Sequence, residues 1–301
     1  MAIPTTMRDA SPHRMRTREI APMLMLVPAG IGLALFVVVP AILAFVASFF
    51  EVPLAGGDWR FVGTGNFERI LADPAVQRAL LNTLVYSALT IVPSLVLGLA
   101  LALLTNAAGR AKPVVRTLLF LPMTANLVAI AVVYSWIFSY PGGFANQLVG
   151  VFGIPPVNWL GDPATALPVV ALVGVWRTAS LTMLIFFAGL ATMPVAIDEA
   201  ARAEGIRGLR RLWLITLPMI RPTAVFATVL AILNSVQVFD VINVMTQGGP
   251  LGSTETVLTM VWRIGFRYFD LGGASALALL LLVVLVAVGV LQRRTLAGRT
   301  R

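Results

Sequence analysis

Asn234, Gln237, Asp240 and Asn243 recur every third residue through a segment that is otherwise apolar. On a helix each step of three turns about 300°, so the stripe drifts by about 60° per step and its first three members share a face about 120° wide. Amides and a carboxylate on one face can hydrogen-bond a hydroxyl-rich solute, and they can equally join one membrane helix to another. A second apolar segment carries Trp176-Arg177 near its middle. An arginine at mid-membrane costs ~2.5–3.5 kcal/mol on insertion scales and so requires water or a partner. Asp240 is the only acid inside an apolar segment. An ion pair with Arg177 and a joint lining of a solute path are both open, although the two differ in depth by roughly 10 Å on straight helices. Tyr134, Trp136 and Trp176 have rings that can stack on a sugar face or pack on one another. Asn82, Tyr86, Asn126 and Ser180 add further polar groups within apolar segments.

The rest of the chain offers little material for catalysis. It contains no cysteine, which excludes disulfides, thiol nucleophiles and thiolate metal sites. Its one histidine, His13, stands in the N-terminal tail, away from any candidate site. No apolar segment carries an acid and base pair or a metal set, and there is no GxxxxGK[ST] phosphate loop. The expectation is therefore a chain without catalytic residues, metal or bound cofactor, and not an enzyme.

The elements that hold these groups follow from composition. Of 301 residues, 58% are hydrophobic and 12% charged, with a mean hydropathy of +0.91. That exceeds the roughly 45–50% apolar content of soluble domains, so the bilayer is the solvent. Six segments match the ~20 apolar residues that a spanning helix needs: 23–50, 80–104, 114–138, 166–190, 222–244 and 271–291. The first follows Arg14, Arg16 and Arg18, yet its apolar run is too long for a cleaved signal peptide. Pro28, Pro40, Pro93 and Pro122 fall inside spans and can bend them. The expected organisation is a tail at 1–22, a first span with its loop at 23–79, a core at 80–291 and a tail at 292–301. Sixteen Lys and Arg fall in the two tails and the second and fourth loops, against five in the other loops. By the positive-inside rule both termini are cytoplasmic. The net charge of +9 thus reflects topology and lipid, not a nucleic-acid partner.

Between the fourth and fifth spans stands EAARAEGIRGLRRLWLITLP, residues 199–218. Pro194 suits the first turn of a short helix, and Gly205 suits the left-handed residue that ends it near Glu204. A second helix would place Ile206, Leu209 and Trp213 on one face and Arg207, Arg210 and Arg211 on the other, closing at Leu217-Pro218. Ala200, Ala201 and Ala203 make one side thin, and Asp198 and Glu199 give it anchors for a basic or N–H-rich partner. Beyond the fifth span, Gln247-Gly248-Gly249-Pro250 reads as a turn.

The spacing of Glu199-Ala200-Ala201, Gly205, Ile215 and Leu217-Pro218 resembles the cytoplasmic signature of permease subunits of binding-protein-dependent ABC importers. Trp176-Arg177, Ala188-Gly189-Leu190, Phe239-Asp240, Thr246 to Pro250 and Glu255 are similar to elements of the maltose and glycerol-3-phosphate type. So is the third loop, with Gly143, Asn146, Leu148, Gly153 and Trp159-Leu160. Gln247 stands where those relatives have glycine, and Glu204 where many have Asp. The resemblance implies an all-α integral membrane protein of six transmembrane helices with the ABC importer permease fold, in a bacterial inner membrane. It implies that 194–212 forms coupling helices, with Asp198, Glu199, Ala200, Ala201, Gly205, Arg207 and Arg210 meeting a separate ATPase that binds ATP and Mg. It implies three kinds of partner: a second, similar permease, two ATPase copies, and an external solute-binding protein met near Gln247 to Pro250. The implied cargo is a sugar or sugar-like solute. Import of glycerol-3-phosphate, phosphodiesters or polyols and, from another class, ion-coupled secondary transport are the alternatives.

Overall fold

The computed structural model describes residues 25–53 and 57–297. The tail at 1–22 and the last residues of the C-terminal tail lie outside them, as do the side chains of Asp198, Arg202 and 293–297. In chain order the helices are α1 (Met25–Ala47), α2 (Gly65–Ala72), α3 (Pro74–Ala107), α4 (Lys112–Thr124), α5 (Leu127–Ile137), α6 (Phe144–Gly150) and α7 (Ala166–Ala191). There follow α8 (Val195–Ala203), α9 (208–219), α10 (Arg221–Val236), α11 (Asp240–Met245), α12 (257–267) and α13 (Leu271–Ala297). A short antiparallel ribbon, β1 (Phe50–Glu51) and β2 (Arg60–Phe61), follows α1. Among the described residues five helices are long and apolar enough to cross a membrane, and six if the bent pair α4 and α5 counts as one.

The centre of the bundle is α3 against α7. α3 begins where Asp73 accepts a hydrogen bond from the Ala75 amide at 2.8 Å and Pro74 fills the first turn. At ~1.5 Å per residue its 34 residues reach about 50 Å, beyond the ~30 Å hydrocarbon core, so it is longer than the expected 80–104. Small residues let the two backbones meet. A Cβ at Gly98 would collide with Thr182, whose Oγ1 donates to the Ser94 carbonyl at 2.8 Å. Ser94 Oγ donates in turn to the Val175 carbonyl at 3.4 Å. With no water to compete, close backbone packing and such bonds are what hold membrane helices together. Pro93 lies within α3 without ending it.

Two expected spans are not straight. The segment at 114–138 is two helices bent by 92°. The break is built by Asn126, whose Oδ1 accepts from the Val128 and Ala129 amides at 2.9 and 3.2 Å and so caps α5. Asn126, a minor polar candidate by sequence, thus serves as a helix cap. The fifth span breaks between Val236 and Asp240. The freed Val238 carbonyl accepts from Thr256 Oγ1 at 3.3 Å, a partner eighteen residues away. The stripe from Asn234 to Asn243 therefore does not lie on one continuous helix, and its drift of about 60° per step holds only up to the break.

α1 stands at the edge, with no buried residue in its most apolar window. Its C-terminal end is tied to the last span through Asn66, which donates to the Ser48 and Phe50 carbonyls at 3.0 and 2.9 Å. Arg69 bridges Asn66 at 3.2 Å and Asp270 at 2.6 Å, completing the clamp.

Candidate functional site

The two helix breaks face a common cavity of about 380 Å³. Its walls include Tyr86 from α3, Leu127 from α5, Gly174, Arg177 and Thr178 from α7, and residues 237–241 at the fifth-span break. Arg177, Asn234, Gln237 and Asp240, expected on sequence grounds to meet a solute, all line it. Because α10 stops at Val236 and α11 starts at Asp240, Gln237 falls in the break and lines the same cavity as Asn234, Asp240 and Arg177. Arg177 and Asp240 share the cavity, yet no ion pair within 4 Å joins them among the described residues. The Arg177 Nε is buried without a hydrogen-bond partner. A guanidinium left with an unused donor beside a half-open cavity of mixed polar and apolar lining has capacity for a ligand or water.

Other expected path residues lie elsewhere. Trp176 and Tyr134 pack edge to face at 5.7 Å, and Tyr134 stacks on Phe138 at 6.3 Å, outside the cavity walls. Asn243 sits on α11 away from it. Ser180 is buried, its hydroxyl donating to the Trp176 carbonyl at 3.3 Å. Asn82 donates to the Gly252 and Glu255 carbonyls at 2.9 Å each, and so holds a loop instead of a solute. Tyr86, a minor candidate by sequence, is a wall of the cavity. Gly174 was not singled out: its missing side chain makes room for the Tyr86 hydroxyl, a contact that only packing reveals.

The hairpin at 194–219 is a second candidate surface. α8 ends with Gly205 at φ +70°, as its position in the sequence requires, and a second left-handed residue, Gly208 at φ +57°, opens α9. α9 therefore starts two residues later than expected. It also runs through Leu217-Pro218 to Met219, because a wider π turn over Leu212–Thr216 accommodates the proline. Glu199, Ala200, Gly205, Arg207 and Arg210 are exposed together. Ala201 is not part of that thin face: it is 3% exposed, and its carbonyl accepts from the Ile206 amide at 2.8 Å. Asp198 lies outside the described side chains. The hairpin spans a cavity of about 680 Å³ bounded by Asn106, Met193, Leu209 and Thr216, so it is not packed flat on the bundle.

The third candidate surface, at 246–256, is a closed knot. Gln247 (φ +52°), Gly248 (φ +84°), Leu251 (φ +51°) and Gly252 (φ +75°) all turn left-handed. Thr254 Oγ1 donates to the Gly249 carbonyl at 2.7 Å, and Arg263 donates to the Gln247 carbonyl at 3.1 Å. Arg263 also pairs with Glu255, which is 2% exposed. Burial pushes the Glu255 carboxyl above its ordinary range, and Arg263 only partly draws it back. Gly248, expected at an external contact, is buried beneath the loop, whereas Leu251 at the tip is 83% exposed.

Residues 94–301 match the family described as "Binding-protein-dependent transport system inner membrane component". The chain is 32% identical over 266 residues to the sulfoquinovosyl glycerol transport system permease protein SmoG of Agrobacterium fabrum, spanning 88% of this chain and 86% of that one. It is 31% identical to the sn-glycerol-3-phosphate transport system permease protein UgpA of the same organism (93% and 96% covered). It is also 29% identical to the trehalose/maltose transport system permease protein MalF of Thermococcus litoralis (88% and 89%). In fold it superposes with a TM-score of 0.81 and 22% identity on a chain from the crystal structure of a bacterial alginate ABC transporter in complex with alginate pentasaccharide-bound periplasmic protein, covering 93% and 94%. This chain belongs to the family of binding-protein-dependent transport system inner membrane components, and has the fold of an ABC importer permease. It is accordingly a multi-pass protein of the inner membrane, in a family of transporter components and not of enzymes.

Proposed function

We propose that this chain forms half of the translocation pathway of an ATP-driven importer for a sugar or sugar-like solute. The observation that carries the proposal is the cavity at the two helix breaks, where Asn234, Gln237 and Asp240 present amide and carboxylate groups beside the unpartnered Nε of Arg177. Hydroxyl-rich solutes are recognised by such groups, and about 380 Å³ is within the usual range of small-molecule sites. The cargoes named for the relatives, sulfoquinovosyl glycerol, trehalose or maltose, and sn-glycerol-3-phosphate, support the class without fixing one member.

On this reading a second permease completes the pathway, two ATPase subunits supply the energy, and an external binding protein delivers the solute. Glu199, Ala200, Gly205, Arg207 and Arg210 dock on an ATPase, with both termini on the same, cytoplasmic side. Gln247, Gly249 and Pro250 lie beside the external partner. ATP-driven closure moves the raised hairpin and, through α7 and α10, the cavity walls.

The test is uptake by the assembled transporter in proteoliposomes carrying N234A and Q237A together. Each lost hydrogen bond is worth about 0.5–1.5 kcal/mol, so KM for the transported solute is expected to rise about tenfold or more. Unchanged KM and rate would remove the cavity from the path, and uptake driven by an ion gradient without ATP would refute the importer assignment.

A further inference from the structure

The third loop carries sequence features that solute transport does not use. From Thr117 to Gly161 the chain has no Asp, Glu, Lys, Arg or His. Such a run is natural for a membrane span, but here the apolar helices α4 and α5 occupy only its first half. The second half is a loop that folds back on the span ends. Trp159 packs on Phe138 at 6.1 Å, and Trp159 and Leu160 join the buried cluster around Tyr86, Val170 and Ile242. The short helix α6 begins seven residues after α5 ends, so it sits level with the ends of the bundle, opposite the 194–219 hairpin.

Asn146 makes this loop rigid. Its Nδ2 donates to the Ser139 and Val157 carbonyls at 3.2 and 3.0 Å, and its Oδ1 accepts from the Val157 amide at 2.9 Å and from Trp159 Nε1 at 3.0 Å. With that amide facing inward and its bonds made, the outward face is left to apolar side chains. Phe144 and Leu148 are 54% exposed, Val151 79% and Phe152 76%. They continue the exposed apolar side of α5, where Val132 and Trp136 are 55% and 64% exposed, past Tyr140 at the turn between them.

We propose that residues 140–154 form a foot that beds into the lipid interface on the side of the membrane opposite the hairpin. Three observations favour lipid over a protein occupant. The surface is continuous with the apolar side of a span. Aromatic residues stand at the level where span ends meet headgroups, the usual depth of tyrosine and tryptophan. No charged side chain is available for the polar rim that a soluble partner requires. By contrast, the first loop, which emerges on the same side as the foot, is charged around Glu51, Asp58, Arg60 and Arg69 and borders a cavity of about 910 Å³. The foot would fix the depth of α5, and with it Leu127, which lines the solute cavity.

The chain has no native cysteine, so F152C and V151C can each be labelled alone with an environment-sensitive fluorophore. Both positions are exposed, and assembly with the partner subunits in lipid vesicles confirms that each variant folds. The expected result is strong loss of fluorescence with lipid-borne quenchers and little loss with aqueous iodide. The reverse pattern would overturn the proposal. So would protection from both quenchers, which would place the second permease there, or protection appearing only with the external binding protein.

Discussion

The hairpin at 194–219 and the loop at 246–256 both turn the chain through left-handed residues, Gly205 and Gly208 in one, Gln247, Gly248, Leu251 and Gly252 in the other. Their surroundings differ. A Cβ added at Gly205 or Gly208 meets nothing within 4 Å. One added at Gly248 runs into the Glu255 carboxylate and lies 2.8 Å from Arg263 Nη2. In the loop Thr246, Thr254, Glu255 and Arg263 are tied to one another or to its backbone, and Asn82 enters from α3 to hold two of its carbonyls. In the hairpin Glu199, Arg207 and Arg210 stand exposed above a cavity. One connection is filled by contacts within this chain, and the other stands open, as the proposed docking on an ATPase requires. A glycine is needed for backbone and space in the loop, and for backbone alone in the hairpin.

The sharpest way to break that contrast is charge reversal in the hairpin. Glu199→Lys is expected to abolish transport while leaving membrane insertion and thermal stability unchanged, because its side chain is exposed and holds nothing among the described residues. Uptake by the assembled transporter and the amount of membrane-bound protein measure the two effects. Normal uptake with normal ATPase assembly would show that the exposed face is not a docking surface.

Stability should fall at both glycines, but by different amounts. Gly248→Val adds a left-handed backbone cost of about 1–2 kcal/mol to an overpacking cost of about 1–3 kcal/mol. Gly205→Val carries only the first, about 1–2 kcal/mol, and is further expected to impair coupling. Thermal unfolding of the purified protein should therefore place Gly248→Val clearly below Gly205→Val. Equal midpoints would erase the distinction between a filled and an open turn.

The same contrast explains what could be read from the sequence. Hydropathy placed six apolar segments because the bilayer imposes one length and one polarity on every span. Gly205 was legible as a left-handed residue because it alone separates two helical patterns there. Asn126 and Asn82 were legible as polar residues but not in their roles, since an amide in an apolar segment can cap, brace or bind. The break at 237–239 was not legible: no proline or glycine marks it. It depends on Thr256 supplying a hydrogen bond to the Val238 carbonyl, a tertiary choice made eighteen residues away. That break turned a drifting stripe into one wall of a cavity, so the hardest feature to foresee is the one that assembles the site. The exposed Leu251 escaped for the same reason, because its exposure follows from the knot beneath it.

Asn82→Ala tests the wiring more gently. It removes two hydrogen bonds to the loop, leaving the Gly252 and Glu255 carbonyls to be satisfied otherwise, at a cost of about 1–3 kcal/mol. Hydrogen exchange should quicken at 246–256 and stay unchanged in the hairpin, which Asn82 does not touch. Quickening in both regions would mean that Asn82 supports the bundle generally.

The smallest expected effect separates the two regions by their response to pH. Burial holds the Glu255 carboxyl above its ordinary range despite Arg263, Thr259 and Arg267, which draw it down. The folded loop thus binds this proton more tightly than the unfolded chain does. Its contribution to stability is fully present at low pH and is lost as pH rises from the ordinary carboxylate value through the raised one, the reverse of a carboxylate stabilised by its ion pair. Glu255→Gln leaves Arg263 without a countercharge at every pH, which lowers stability by a constant amount, but it cannot titrate. The difference in unfolding midpoint between the parent and Glu255→Gln should therefore change across that interval, with the parent losing ground as pH rises. A difference that stays flat, or one in which the parent gains, would mean that the Arg263 pair outweighs burial and that the knot is held by charge instead of by its hydrogen bonds.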